Sequence, residues 1–149
     1  MKLILIPALF LMISLFTHPV NTDEQGVKDA VYKLFEGMEK SDGDMVGNAF
    51  HADAVLKTVV VQNGEARLSE TPIESFAQSV GSAEPGFLKE VIHEMTVHID
   101  GHLATAWMTY DFYAGGNHSH CGVNSMKLIK TSAGWKIFSI TDTRNRTGC

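Results

Sequence analysis

The feature that most constrains this chain lies between Leu88 and Arg144, where Leu88 to Ile99, His102 to Tyr113, Ser119 to Lys130 and Trp135 to Arg144 alternate apolar and polar side chains and are rich in β-branched and aromatic residues. The runs are separated by turn signals: Asp100-Gly101, Ala114-Gly115-Gly116-Asn117 and Ser132-Ala133-Gly134. Four long strands joined by short turns form a meander whose apolar face must be buried against something else. The preceding residues supply the cover. Val27, Val31, Leu34, Phe35 and Met38 recur at helical spacing with Lys28, Asp29, Lys33, Glu36 and Lys40 between them, which predicts an amphipathic first helix. Ser41-Asp42-Gly43-Asp44 breaks it, and Met45, Val46, Ala49 and Phe50 give a short second helix. Val55 to Gln62 and Glu65 to Glu70 flank Asn63-Gly64 as a hairpin, and Thr71-Pro72 opens a third helix over Ile73 to Val80. The predicted fold is α+β, with about three helices on one face of a curved antiparallel sheet.

The start of the chain reads differently. Residues 3 to 16 carry no charge, follow Lys2 and stop at Thr17-His18-Pro19, short of the roughly 20 apolar residues that a spanning helix needs. This predicts a signal peptide over residues 1–22 and one domain over 23–149 that is exported, periplasmic or secreted, and meets the membrane only during export. With 44% hydrophobic and 19% charged residues the chain is neither disordered nor fibrous. Its net charge of −5, without any basic stripe, argues against a nucleic-acid partner. Export favours oxidised thiols, and a tail folding back would bring Cys149 to Cys121, so these two are expected to form a disulfide.

The turns set registers. A two-residue turn at Asp100-Gly101 puts Val97 opposite Ala104, Met95 opposite Ala106, His93 opposite Met108 and Val91 opposite Tyr110, with Glu90 and Asp111 paired on the other face. A three-residue turn ending at Gly134 puts Leu128 opposite Phe138, Met126 opposite Ile140, Asn124 opposite Asp142 and Gly122 opposite Arg144. Matching faces sets Ala104 against Leu128 and Met108 against Asn124, while the Ala114-Gly115-Gly116-Asn117 turn also permits a slip of one residue. One face then runs from apolar, at Val97, Met95, Leu128, Met126, Phe138 and Ile140, to polar, at His93, Tyr110, Phe112, Asn124, Asp142, His120 and Arg144. An apolar pocket with polar groups at its mouth is the expected binding site, and a small apolar or heteroaromatic molecule the expected partner. Tyr110, Phe112 and Phe138 would pack on it while Asn124, Asp142, Arg144, His120 and His93 orient it. His93 beside Asp142 would also make an acid–base pair, so catalysis stays open. His118 and His120 share a strand face, which suits two metal ligands, but Cys121 points away and no third ligand is evident, so neither a metal nor another cofactor is expected.

This layout, with Asp44-Met45 to Phe50-His51-Ala52-Asp53-Ala54, Asp100-Gly101-His102-Leu103-Ala104 and Gly134-Trp135-Lys136-Ile137, resembles the nuclear transport factor 2-like superfamily. His120-Cys121-Gly122-Val123-Asn124 and Asp142-Thr143-Arg144 look like its exported SnoaL-like or lumazine-binding branch, whose members mostly lack a known activity. The resemblance implies a cone-shaped sheet with a ligand pocket under the helices. It also implies a homodimer through the outer face, which here would carry Trp107, Trp135, Ile137 and Ile129. Ketosteroid isomerase, the superfamily's well-understood enzyme, uses an aspartate base, a tyrosine and a protonated aspartic acid. Its pattern falls on Thr58, near Leu34, and on Asn124. A threonine of ordinary pKa does not abstract a carbon-bound proton, so that chemistry is not expected, although Asn124 keeps the means to hydrogen-bond a ligand carbonyl. The expected function is an exported, non-catalytic binder of an apolar or heteroaromatic, lumazine-like molecule. The alternative is a SnoaL-like isomerase, hydrolase or lyase using His93 and Asp142.

Overall fold

A computed structural model describes residues 22 to 149, so the signal peptide expected over residues 1–22 lies outside the described residues except for Thr22. The elements are α1 (Thr22–Lys40), α2 (Gly43–Ala49), β1 (Phe50–Gln62), β2 (Glu65–Thr71), α3 (Ile73–Gly81), β3 (Leu88–Asp100), β4 (Leu103–Ala114), β5 (Asn117–Thr131) and β6 (Gly134–Thr143). Six strands form one curved, unclosed sheet in the order β2-β1-β6-β5-β4-β3. The fold is the expected α+β cone, with one difference: β1 runs parallel to β6, so the sheet is mixed rather than antiparallel. Two turns of sequence cannot specify that pairing, because the partners lie some eighty residues apart.

Local chemistry explains the helices. In α1 the apolar stripe Val27, Val31, Leu34, Phe35 and Met38 is buried, while Lys28 pairs with Glu24 and Lys40 with Glu36 one turn away on the solvent side. Asp42 caps α2 by accepting a hydrogen bond from the Met45 amide at 2.8 Å. Gly43 lets α2 sit directly on α3, since a Cβ there would stand 2.6 Å from the Ala77 carbonyl oxygen. The helices cover the sheet face that carries Ala104, Ala106, Met108, Met126, Leu128 and Ile137, all buried.

The expected register between β4 and β5 is the one observed, with Ala104 opposite Leu128 and Met108 opposite Asn124. Asn124 opposite Asp142 and Met126 opposite Ile140 are also as expected. The β3–β4 turn is displaced. Asp100 pairs with Leu103, so Gly101-His102 form the turn, and Val97 and Met95 meet Ala106 and Met108 two positions from the expected partners with their facing unchanged. Three bulges then change facing elsewhere, each by one extra residue. On β3 the pairs Ile92–Tyr110 and Met95–Met108 leave His93 and Glu94 opposite Thr109 alone. On β5 the pairs Phe112–His120 and Tyr113–His118 leave Ser119 over. On β6 the pairs Lys127–Ser139 and Leu128–Ile137 leave Phe138 over. The last one overturns two expectations. Ile137 and Trp135 are buried core residues rather than members of an outer face, and Phe138 is not opposite Leu128.

Candidate ligand cavity

A cavity of about 270 Å³ opens between the helices and the concave sheet face. Its floor is apolar, with Leu34 and Met38 from α1, Phe76 and Val80 from α3, and Met126 and Ile140 from the sheet. Its mouth is polar, with Glu90 from β3, Tyr110 and Phe112 from β4, His120 and Asn124 from β5, and Asp142 and Arg144 at the end of β6. A wider groove of about 960 Å³ runs along α2 and α3, but Lys40, Asp42, Asp44, Glu74 and Gln78 line it without an apolar floor. The smaller cavity has the character of a ligand site.

Asp142 organises the mouth. Its Oδ1 accepts from the buried Thr58 hydroxyl at 2.6 Å and its Oδ2 from Nε of the half-exposed Arg144 at 2.8 Å. Two strong donors on a buried carboxylate hold it in place. The Tyr110 hydroxyl donates to the Thr143 carbonyl at 2.9 Å and lies 3.4 Å from Asp142 Oδ2. Burial, with the Asp142 and Glu90 charges, raises the Tyr110 pKa, so the phenol stays neutral. The same corner explains Gly122, where a Cβ would overlap the Thr143 carbonyl oxygen and crowd the Tyr110 ring. Only glycine lets the end of β6 approach β5 this closely.

Glu90 is the second centre. Asn124 Nδ2 donates to its Oε1 at 2.6 Å. Burial pushes the Glu90 carboxyl up to about 8, against the Asn124 hydrogen bond, with Asp142 adding repulsion and Arg144 opposing it. At neutral pH the carboxyl is therefore mostly protonated, with an O–H to donate. His120 packs edge-on to Tyr110 and tilted against Phe112, its ring centroid 5.8 Å and 4.9 Å from theirs, and burial lowers its pKa so that the imidazole is neutral. The mouth thus offers the Glu90 hydroxyl, the free guanidinium nitrogens of Arg144 and the Asn124 carboxamide to a ring resting on an apolar floor.

Tyr110, Phe112, Asn124, Asp142, Arg144 and His120 all line this cavity. His93 does not. The β3 bulge turns it to the opposite face, where its Nε2 lies 2.7 Å from Asp111 Oδ2, so the structure does not bring His93 and Asp142 together as an acid–base pair. The same bulge moves Glu90 inward, opposite Phe112 rather than Asp111. Sequence reasoning missed Glu90, although Leu88, Glu90 and Ile92 share one strand face and all three turn toward the sheet interior. Phe138 is absent from the cavity wall. Thr58 supports Asp142 from β1, and Leu34 lies in the floor. Cys121 and Cys149 are joined by a disulfide with Cα atoms 5.7 Å apart, beside the Cys121–Asn145 bridge that extends the sheet past β6.

A family profile described as "Putative lumazine-binding" matches residues 22–141, nearly the whole described domain. The chain belongs to the family of that description. No curated protein matches it in sequence. Similar solved structures include a nuclear transport factor 2-like protein with a cystatin-like fold from Novosphingobium aromaticivorans, 12% identical over 86% of this chain and 85% of that one, with a TM-score of 0.68. Another, from Shewanella baltica, is 19% identical over 87% of this chain and 98% of that one, TM-score 0.63. A third, described as a putative dehydratase of the same fold family from Streptomyces avermitilis, is 19% identical over 84% and 97%, TM-score 0.63. At these identities the likeness establishes the nuclear transport factor 2-like fold, and the family membership rests on the profile.

Proposed function

We propose that this domain is an exported binder of a compact, flat heteroaromatic molecule with ring carbonyls, held in the cavity without being turned over. The observation that carries the reading is the mouth over the apolar floor, where a protonated Glu90 and Arg144 donate, Asn124 does both, and Phe112 and His120 offer ring faces. A pteridine-dione such as lumazine presents two carbonyls and a ring N–H to such a mouth, in keeping with the family's description. The volume, about 270 Å³, is just under the ~300–1,000 Å³ of pockets for drug-sized ligands, which suits a small ring system. The disulfide supports a location outside the reducing cytosol, and with the leader over 1–22 it supports export of a domain spanning 23–149. Trp107, Leu103 and Ile129 leave apolar surface on the outer sheet face, which supports a homodimer there.

Native mass spectrometry of the 23–149 chain against lumazine, a flavin and a steroid tests the assignment. The expected result is a one-to-one complex with lumazine and none with the two larger molecules. Failure of lumazine to bind at all, with the cavity open, would remove the proposal.

A second reading, acid–base catalysis, has one observation in its favour. Glu90 is a carboxyl that titrates near neutrality against an apolar wall, as a general base or acid requires. If it is catalytic, lumazine-type compounds held in D2O with the protein exchange a carbon-bound hydrogen for deuterium, and Glu90→Gln stops the exchange without stopping binding. Absence of exchange in every bound compound leaves the binder reading alone.

A further inference from the structure

We propose that the cavity takes a heteroaromatic carboxylate, a flat ring bearing one acid group, with Arg144 and Arg146 holding that group at the mouth. The inference rests on the ring-binding reading above and adds the ligand's charge to it. Arg144 lines the cavity, and its side chain is 52% exposed, so the far end of the guanidinium stands at the rim. Its Nε donates to Asp142 Oδ2 at 2.8 Å, and among the described residues its two Nη nitrogens donate to no protein group. Asp142 thus fixes the guanidinium from the Nε side and leaves the Nη end as a preset fork for a planar carboxylate.

The tail after β6 keeps a second cation beside the first. Asn145 exchanges two backbone hydrogen bonds with Cys121, at 3.0 and 2.8 Å, and Cys149 is joined to the same Cys121 by the disulfide. Arg146 therefore lies in a short loop tied at both ends to one β5 residue, and that residue directly follows His120 of the cavity wall. Burial first, and then the charges of Arg144 and Arg146, lower the His120 pKa against the opposing charge of Asp142, as two cations near that ring must. Among the described residues Arg146 has no ion-pair partner.

The charge balance at the mouth selects a single negative charge. The chain as a whole is acidic, with net charge −5. At the mouth the sign reverses: Arg144 is paired with Asp142, Glu90 is mostly protonated at neutral pH and His120 is neutral, so Arg146 is left over. One carboxylate cancels that excess. A phosphate, with about 1.5 to 2 negative charges, overshoots it and sets its surplus against Asp142. A neutral ring leaves the Nη fork and Arg146 facing water and gains nothing from either. An acid group on the ring replaces that water with charge-assisted hydrogen bonds, roughly twice as strong as neutral ones. Because the rim is open to solvent, salt screens this part of the binding and spares the contacts of the ring with the apolar floor.

Calorimetric titration of the disulfide-intact chain with lumazine, lumazine-6-carboxylate and lumazine-7-carboxylate tests the inference, at low ionic strength and about pH 6.5, where Glu90 keeps its proton. The expected result is that one of the two carboxylates binds about tenfold or more tighter than lumazine. That advantage should shrink to about threefold or less in Arg144→Gln and in Arg146→Gln, and stay unchanged in Lys127→Gln, on the outer sheet face opposite Thr105. Should Arg144→Gln lose its far-UV circular dichroism, the unmodified chain decides instead: the carboxylate's advantage must fall as NaCl is raised to about 0.5 M, while the affinity for lumazine holds. Equal affinities for the three compounds, or an advantage that survives both arginine substitutions or high salt, overturns the inference and leaves the ring-binding reading in place. Binding by none of the three removes that reading, and this inference with it.

Discussion

Asn124 Nδ2 donates to Glu90 Oε1 at 2.6 Å, joining β5 to β3 across the inner face of the intervening β4. This hydrogen bond sits over a carboxyl whose folded pKa of about 8 exceeds its ordinary value of 4.5. The folded state therefore retains a proton that the unfolded chain releases. The stability from this group is full below pH 4.5 and is lost as pH rises through 8. Glu90→Gln keeps the acceptor for Asn124 and removes the titration. Urea unfolding should show the variant equal to the parent near pH 4 and more stable above pH 8, by on the order of 2 kcal/mol after allowing for water in the cavity. Equal pH dependence in the two chains would contradict the buried, protonated Glu90.

Thr58 and Asp142 face each other where β1 runs parallel to β6, and the hydroxyl is one of the two short donors that hold the carboxylate. Thr58→Val keeps the volume and leaves Asp142 with an unmet acceptor. The expected loss is about 1–3 kcal/mol in chemical denaturation, with a weaker hold on Arg144 seen as faster side-chain motion in NMR. A loss indistinguishable from zero would mean that water replaces the hydroxyl.

How far the sequence carries can be read from individual pairs. Ala104–Leu128 and Met108–Asn124 were legible from matching the apolar faces of the two hairpins, although the Ala114-Gly115-Gly116-Asn117 turn by itself also permits a slip of one residue. The helices were legible from their stripes, and Cys121–Cys149 from the tail's reach past Asn145. Bulges have no comparable signature. One extra residue at His93-Glu94 turned Glu90 inward and His93 outward, and one at Phe138 placed Trp135 and Ile137 in the core. The cavity's position was therefore within reach of sequence reasoning, while its most perturbed titratable group was not.

The Cys121–Cys149 disulfide closes a segment with a sequence separation of 28. Constraining that loop in the unfolded chain contributes about 3 kcal/mol. Cys149→Ser, or reduction of the native chain, should lower the unfolding free energy by about that amount. An unchanged denaturation midpoint would show that the tail contributes nothing to stability.

Gly122 lies where the Thr143 carbonyl comes down on β5, and the same carbonyl accepts the Tyr110 hydroxyl. Gly122→Ala must push the end of β6 away and break that hydrogen bond. We expect a loss of about 3 kcal/mol or more, together with a Tyr110 environment opened to solvent in near-UV circular dichroism. A variant of parental stability would mean that the two strands have room to separate.

The most direct test of the ligand assignment is an NMR titration of the 15N-labelled domain with lumazine. A bound lumazine should give saturable shifts confined to amides around the cavity, such as Tyr110, Asn124, Met126 and Ile140, and these should be lost in Leu88→Trp, which fills the mouth from β3. Shifts that spread instead over Trp107 and Ile129 on the outer face, or no shifts at all, would contradict the assignment.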